Sequence, residues 1–320
     1  MVATVIRSTT FEAYTIPTSS MEKSLMVGDF LFVSKMHYGV RVPMTPISLP
    51  LVHNKVPFAG TPSYLDWPQI PYLRLPAITP IESGDPVVFN YPMDNMPVDK
   101  KENYVKRCIG TPGDSLKIVD RTALVNGNAF RFPDRSYPQY LYYVKTDGRG
   151  FSKNWLKERL DINYLTNEEM RQYPTDQDVY QRTQDEYIMF LQSRHVEAIS
   201  ALENVKKVWP IVAQRPGTPI DSTLPQGLID IQLGQAEEIL FPNPDTGHGE
   251  RPYNDTWDNF GPIYVPKTGV SVELNPKNLN TYRRIIGEYE GHDLKIKKDG
   301  EVLIDGVAAS SYTFEKDYYW

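Results

Sequence analysis

Three short stretches of this sequence decide how the chain can fold and what chemistry it can perform. They read IPTSSM at residues 16–21, GDPVVFNYP at residues 84–92 and YVKR at residues 104–107. Each lies in or beside a run of apolar and β-branched residues that is typical of a strand. A serine, Ser20, follows the first strand, and a lysine, Lys106, lies within the last. We therefore predict a β-sheet scaffold that can bring a serine and a lysine together.

The composition is that of a folded, globular chain. The 320 residues are 40% hydrophobic and 23% charged, which excludes the class of disordered proteins. The net charge of −6 argues against nucleic acid as a partner, because proteins that bind nucleic acid carry a basic surface. The single cysteine, Cys108, excludes an intrachain disulfide and is expected to be a buried apolar residue. No Cys/His cluster has the spacing of metal ligands, so we expect no metal site and no cofactor.

The order of apolar runs and turn residues predicts a mainly β protein with a few helices. The proline-rich residues 43–80 are expected to form an ordered loop or an extended arm that crosses the surface. The longest helical pattern lies at residues 183–208, and His195 falls on its apolar stripe, where we expect a structural histidine. The predicted strands cover residues 11–16, 30–35, 87–89, 103–109 and 116–119. The other predicted elements are helices at 151–161 (N-cap Ser152) and 275–289 (N-cap Asn275), loops over 210–260 and a hairpin over 292–307.

A serine and a lysine can hydrolyse a peptide bond without histidine if the lysine is neutral. A serine hydroxyl becomes a nucleophile only when a base removes its proton. The lysine pKa, ordinarily ~10.4, must therefore be lowered, and desolvation is the usual cause. If residues 103–109 form a strand, Tyr104, Lys106 and Cys108 share one face and Arg107 lies on the other. Lys106 then has weakly polar neighbours on its own face, as a lowered pKa requires.

The residues beside Ser20 and Lys106 supply candidates for the other tasks of a protease. A developing oxyanion needs hydrogen-bond donors, and we expect these from the Ser20 backbone N–H and the Thr18 hydroxyl. Shallow apolar pockets for small substrate side chains are expected from Ile16, Pro17, Met21, Leu25, Tyr104 and Val105.

These motifs resemble those of bacterial type I signal peptidases, a family of membrane-anchored Ser-Lys proteases. In that family a proline-containing strand leads into a serine-methionine pair, as at Ser20 and Met21, and a Gly-Asp strand follows, as at residues 28–35. A second Gly-Asp strand of the family is similar to residues 84–92, and its lysine-bearing segment is similar to residues 104–114. The similar stretches cover about residues 11–42 and 84–128, with a weaker likeness over 260–320.

The resemblance implies a serine endopeptidase that removes N-terminal signal peptides from exported preproteins, cutting after small residues of the Ala-X-Ala type. Ser20 would be the nucleophile, Lys106 the general base and Thr18 the side-chain oxyanion donor. The implied fold is a folded antiparallel β-sheet core with a partly helical second domain inserted into it. The core would be formed by residues 1–126 and 261–320, and the inserted domain by residues 127–260.

The resemblance also implies a cellular location and a larger whole protein. Family members are anchored in the cytoplasmic membrane with the catalytic domain on its outer, periplasmic face, so the implied partners are preprotein signal peptides and the membrane surface. The sequence contains no run of the ~20 apolar residues that a membrane anchor needs. It also lacks the family's C-terminal Gly-Asp-Asn segment, which supplies a second serine near the lysine. We therefore expect the chain to be part of a longer protein.

Two other functions are compatible with the same residues. The chain could be a non-catalytic or truncated β-module of this fold that acts in binding, with residues 127–260 as its working part. Retention of both Ser20 and Lys106 counts against that reading. A self-cleaving repressor with a Ser-Lys site would carry a DNA-binding segment before its serine, but only 19 residues precede Ser20 here.

Overall fold

The computed structural model describes residues 10–49, 52, 55–56, 60–92, 96–166, 177–215, 217–238, 255–275, 278–297 and 300–320. These residues form two compact units. The first consists of residues up to 108 together with 133–137, and the second of residues 109–132 together with those from 138 onward. Both units are built mainly from antiparallel strands, so the prediction of a mainly β protein is confirmed. Along the described part of the chain, no helix combines the length and the apolar character needed to cross a bilayer.

The first unit contains two hairpins that carry the motifs found in the sequence. Strand β1 (Phe11–Thr15) pairs with β2 (Phe30–Ser34), and β3 (Pro86–Asn90) pairs with β4 (Asn103–Arg107). All four strands lie within two residues of their predicted positions. Gly28, in the turn that leads into β2, has a φ of +91°, a conformation that glycine adopts without steric cost.

The proline-rich arm between β2 and β3 is extended and is held by backbone bridges. These bridges pair Arg41 with Arg74, Ser48 with Tyr64 and Lys55 with Pro62. The carboxylate of Asp99 accepts hydrogen bonds of 2.8–3.0 Å from the backbone N–H groups of Met44 and Thr45 and from the Thr45 hydroxyl. The start of the arm is therefore fixed to the segment that connects β3 with β4.

The second unit contains the remaining strands and the four α-helices of the described residues. Its strands are β5 (Ser115–Val119), β6 (Thr122–Val125), β7 (Asn128–Ala129), β8 (Gln139–Thr146), β9 (Val179–Gln181), β10 (Glu186–Gln192), β11 (Val205–Pro210), β12 (Phe260–Tyr264), β13 (Ser271–Glu273), β14 (Leu294–Ile296), β15 (Val302–Ile304), β16 (Val307–Ala308) and β17 (Ser311–Thr313). Its helices are α1 (Lys153–Leu160), α2 (Ser193–Ser200), α3 (Gln226–Glu238) and α4 (Leu279–Arg284), the last continued by a π-helical turn at Ile285–Tyr289. The strands form sheets in the orders β12-β5-β6-β7, β11-β8-β10-β9, β14-β15-β16 and β13-β17.

The sheet β11-β8-β10-β9 lies wholly inside residues 127–260 and has its own core. Side chains of β8 and β10, among them Val144, Met189 and Leu191, pack with Leu156 of α1 and Ile199 of α2. The predicted N-cap of α1 is present, because the Ser152 hydroxyl accepts a hydrogen bond of 3.3 Å from the Trp155 backbone N–H. The domain boundaries at 126 and 260 stay predictions.

The prediction of a long helix at residues 183–208 is wrong. This segment forms β10, the short helix α2 and β11 instead. The reason is alternation: Tyr187, Met189 and Leu191 are all fully buried, as every second residue of a strand is when one face packs on a core. His195 lies buried on α2, as a structural histidine would. The loops predicted over 210–260 also give way in part to a helix, α3.

The last helix begins later than predicted. Its first residue is Leu279, with Asn278 at the N-cap position, whereas Asn275 was expected there. Asn275 and Asn278 instead accept hydrogen bonds from each other's backbone N–H groups through their side chains, at 3.1 and 3.0 Å. Pro276, within the predicted helix, and Asp299, within the predicted hairpin, lie outside the described residues. The predicted hairpin over 292–307 is confirmed as β14 and β15.

Candidate active site

Ser20 lies on a short 3₁₀-helix, Ser19–Met21, that follows β1 directly. The turn is closed by hydrogen bonds from the Glu22 N–H to the Ser19 carbonyl and from the Leu25 N–H to the Met21 carbonyl, both 2.8 Å. Ile16 exchanges backbone hydrogen bonds with the turn before β2, which fixes where the helix starts. Ser20 itself is exposed. The end of a strand and a tight turn therefore present its hydroxyl at the surface.

Lys106 lies on β4, opposite Val87 of β3. The ladder continues past the strands, because Cys108 donates to the Asp85 carbonyl at 2.8 Å and accepts from the Gly84 N–H at 2.7 Å. Arg107 points to the other face, where its guanidinium donates to the Gly84 carbonyl at 2.6 Å. Cys108 is buried, as predicted.

The structure brings Ser20 and Lys106 together although 86 residues separate them in the sequence. The Lys106 Nζ donates a hydrogen bond to the Ser20 Oγ. Strand β4 and the 3₁₀-helix are in contact, so the pairing rests on two backbone elements. A hydroxyl and an amine in this geometry can exchange a proton directly.

Burial lowers the pKa of Lys106 below its ordinary value near 10.5. The residue as a whole is exposed, but its amine is partly withdrawn from solvent, and water loss disfavours the charged form. The Tyr104 ring, whose centroid lies 5.9 Å from Nζ, acts weakly in the opposite direction because its π face attracts a cation. Burial therefore makes the neutral amine more populated than in a solvated lysine.

Thr18 is the N-cap residue of the 3₁₀-helix and is exposed. Its backbone is extended (φ −135°, ψ 152°), and its side chain makes no capping hydrogen bond. The hydroxyl is therefore not used by the helix that it precedes. The role of Thr18 as an oxyanion donor remains a prediction.

The predicted pocket residues differ in how far they reach the surface. Pro17 and Tyr104 are exposed, and Met21 and Leu25 are half-buried, so these four can contact a substrate side chain. Ile16 is buried, and Val105 is paired with Val88 on the face of β4 opposite Lys106. Ile16 can therefore shape a pocket only from beneath, whereas Val105 is half-buried and in part reaches the surface.

Sequence reasoning missed Tyr91. Its ring stacks on Tyr104 with a centroid distance of 4.5 Å and an interplanar angle of 16°. The signal was present in the alternation of β3, since Tyr91 is two residues beyond Phe89, the partner of Tyr104. In the part of the chain that the structure describes, no group of three or more His, Cys, Asp or Glu residues could hold a metal ion.

Comparisons with known proteins point to one family. The family described as signal peptidase, peptidase S26, matches residues 1–196. Signal peptidase I of Pseudomonas fluorescens is 33% identical over 126 residues, which are 39% of this chain and 34% of the relative. Signal peptidase I of Pseudomonas aeruginosa is 34% identical over 124 residues, 38% of this chain and 33% of the relative. Signal peptidase I of Rickettsia typhi is 34% identical over 127 residues, 39% of each chain. The chain thus spans about a third of the length of the first two relatives.

Proposed function

Because the chain belongs to the signal peptidase family, peptidase S26, we propose that it is a serine endopeptidase that removes N-terminal signal peptides from exported preproteins. The observation that carries this proposal is the hydrogen bond between Ser20 and Lys106, the two residues expected to perform the chemistry. The lowered pKa of Lys106 supports the same reading, because a general base must be able to lose its proton near the working pH.

In the proposed mechanism, Ser20 is the nucleophile and neutral Lys106 the general base. The Ser20 Oγ forms a bond to the scissile carbonyl carbon while its proton passes to the Lys106 Nζ. When the tetrahedral intermediate collapses, the C–N bond breaks and the lysine ammonium gives that proton to the leaving amine of the mature protein. Water then attacks the acyl-enzyme carbonyl with Lys106 again as base. The ester C–O bond breaks, the lysine ammonium returns the proton to the Ser20 Oγ, and the signal peptide leaves as a carboxylic acid.

The oxyanion of the tetrahedral intermediate needs donors that are in place beforehand. We assign this task to the Ser20 backbone N–H and the Thr18 hydroxyl. The N–H groups in the first turn of a helix have no partner within the helix, which favours the first assignment. The absence of a capping hydrogen bond from Thr18 favours the second.

We propose that the substrate side chains near the cut are small, of the Ala-X-Ala type. The candidate pocket is shallow because it is formed by a proline, a tyrosine and two half-buried apolar residues at the surface: Pro17, Tyr104, Met21 and Leu25. Buried Ile16 would limit its depth from below, which favours small substrate side chains.

We propose that the outer face of the cytoplasmic membrane is where the chain works, with the β1–β2 hairpin facing the lipid. Phe30 and Phe32 of β2 are both 80% exposed. Their cross-strand partners are Thr15 and Ala13, so one face of the hairpin is almost free of charge. Large apolar side chains exposed to this degree commonly mark a binding surface.

The first test is cleavage of a peptide that contains an Ala-X-Ala leader site, by the 320-residue chain in detergent. We expect Ser20→Ala and Lys106→Ala each to reduce kcat by at least about 10³-fold, because removal of a nucleophile or its base leaves only binding and oxyanion stabilisation. Circular dichroism and thermal unfolding should show both variants folded.

The neighbouring Ser19 provides the matched control. It belongs to the same Ser-Ser pair but uses only its backbone carbonyl in the turn, so Ser19→Ala should cleave like the parent. Lys117→Ala, on β5, is the matched lysine control. Full activity in Ser20→Ala, or an equal loss in Ser19→Ala, would remove the basis of the proposed mechanism.

A further inference from the structure

An aromatic row covers the face of the β3–β4 hairpin that carries Lys106. Tyr104 is the cross-strand partner of Phe89, and Lys106 is the partner of Val87. Cross-strand partners in an antiparallel pair project to the same side, as do residues two apart along one strand. The Tyr91 backbone N–H donates to the Glu102 carbonyl at 2.7 Å, which extends the ladder one step beyond β3. Tyr91 therefore joins the same face at its far end.

Tyr91 and Tyr104 form a close, nearly parallel stack. The ring centroids are 4.5 Å apart and the planes differ by 16°. Tyr91 is half-buried, whereas Tyr104 is 37% exposed. An exposed tyrosine has several rotamers available, and a stacked neighbour restricts it to one. Tyr91 is thus one group that holds the Tyr104 ring in this direction.

The Tyr104 ring in turn lies beside the amine of Lys106. Its centroid is 5.9 Å from Nζ, and the Nζ is hydrogen-bonded to Ser20. The ring therefore occupies space from which water would otherwise reach the lysine.

We propose that Tyr91 is a positioning residue for Lys106, acting by holding the Tyr104 ring beside the lysine side chain. The consequence for catalysis rests on the proposed function, but the geometric consequence for Lys106 does not. Tyr91 does not touch the reacting atoms and acts only through Tyr104.

Two opposing effects decide how the pKa of Lys106 would change if the Tyr104 ring left its position. Among the described residues, the groups on the side of Lys106 include the Ser20 hydroxyl from the 3₁₀-helix, the Tyr104 phenol on its own strand and the apolar Val87 and Phe89 from β3. Loss of the cation–π contact alone would lower the lysine pKa, whereas entry of water would raise it. Burial lowers the pKa of Lys106, so we expect entry of water to be the larger effect. Removal of the Tyr91 ring should therefore raise the pKa of Lys106.

The experiment is an NMR titration of the full chain labelled with ¹³C at the lysine Cε, with Lys106→Arg used to assign the signal. We expect Tyr91→Leu to move the Lys106 titration to higher pH and Tyr91→Phe, which keeps the ring, to restore the parent value. Tyr180→Leu is the matched control, because Tyr180 is an exposed tyrosine that meets Phe190 in a different sheet. An unchanged or lower Lys106 pKa in Tyr91→Leu would overturn the proposal.

A second readout connects the titration to catalysis. In the pH profile of kcat/KM for an Ala-X-Ala peptide, the acidic limb of Tyr91→Leu should shift to higher pH. The shift should equal that of the NMR titration, and KM should be unchanged. If Tyr91→Leu loses its cooperative thermal transition, Tyr91→Met replaces it, because methionine is similar in volume to leucine. A shifted titration in a chain without activity would support the positioning role and contradict the proposed function, so the two failures are distinguishable.

Discussion

At the scale of single residues, Ser20 and Lys106 show what sequence reasoning can and cannot reach. Strand alternation predicted that Tyr104 and Lys106 share a face and that Arg107 lies opposite, and the contacts of all three side chains confirm it. The meeting of Ser20 with Lys106 could not be derived from alternation, because it depends on how two hairpins pack. The strand motifs predicted a scaffold that could bring the two residues together, and the resemblance to a known family implied their roles.

Thr18 offers a test of the proposed oxyanion site. We expect Thr18→Val, which keeps the shape but removes the hydroxyl, to lower kcat about 10²-fold with little change in KM, because one preorganised donor is lost from the transition state. Thr18→Ser should retain most of the activity. The measurement is steady-state cleavage of the Ala-X-Ala peptide.

Thr15 provides the control for that substitution. It is an exposed threonine on β1, three residues before Thr18, and Thr15→Val should leave kcat unchanged. A Thr18→Val chain that cleaves at the parent rate would show that the hydroxyl takes no part in stabilising the oxyanion.

At the scale of elements, the strands were easier to predict than the helices. The strands with Gly-Asp turns before them lie where expected, because a short apolar run after a turn has few alternatives. The helix prediction for residues 183–208 was wrong because two periods overlap there. The side chains of Ile188, Leu191, His195 and Ile199 fit a helical period, whereas those of Tyr187, Met189 and Leu191 fit a strand period. Strand β10 pairs with both β8 and β9, so its backbone groups are hydrogen-bonded on both sides. These hydrogen bonds to distant parts of the chain favour a strand over a helix. Local periodicity contains no information about such partners.

The β14–β15 hairpin carries a pH-sensitive ion pair. The His292 Nδ1 lies 2.8 Å from Asp305, and its Nε2 lies 3.4 Å from Glu315 near the end of the chain. The hydrogen bond to Asp305 raises the pKa of His292. Because the folded pKa is above the unfolded value, the stabilisation is complete below about pH 6.5 and is lost as the pH rises through the folded pKa.

We therefore expect His292→Gln to lower the free energy of unfolding at pH 6 by about 1 kcal/mol, since both carboxylates are largely exposed. At pH 9 the same substitution should have little effect. Urea denaturation at the two pH values measures the difference, with Asp305→Asn as the partner variant. A loss that is equal at both pH values would assign the effect to packing of the ring, which lies edge-on to Tyr312, and not to charge.

At the scale of the whole molecule, the family match extends over residues 1–196 and so includes both Ser20 and Lys106. It also includes part of the region from 127 to 260, which we propose is a second domain inserted into the catalytic core. The structure supports an independent core there, formed around β8 and β10. Its task could not be predicted from sequence, since none of its residues forms a recognisable catalytic or ligand-binding pattern.

Membrane contact is a property that the whole chain should show if the β1–β2 hairpin faces lipid. We expect the double substitution Phe30→Ser with Phe32→Ser to weaken binding to vesicles of phosphatidylglycerol and phosphatidylcholine by more than about tenfold. Each phenylalanine contributes roughly 1.5–3 kcal/mol when it leaves water, and about 1.4 kcal/mol corresponds to tenfold in affinity. Vesicle co-sedimentation measures the change.

The matched control for the vesicle experiment is the double substitution Ile296→Ser with Val307→Ser. These residues are also exposed and apolar, but they belong to the β14-β15-β16 sheet of the second unit. They should leave vesicle binding unchanged. Equal weakening by both pairs would mean that general hydrophobicity, and not the β1–β2 face, determines binding.

The most direct test of the central claim is formation of the acyl-enzyme on Ser20 as a function of pH. The chain is mixed with an activated ester of an Ala-X-Ala peptide, and the covalent adduct is located and timed by mass spectrometry. The account predicts one acyl group on Ser20, at a rate that rises with pH and levels off below 10.5, since the pKa of Lys106 is lowered. Ser19→Ala should be labelled like the parent, and Lys106→Ala should not be labelled. An adduct on another residue, or equally fast labelling without Lys106, would contradict the Ser-Lys mechanism.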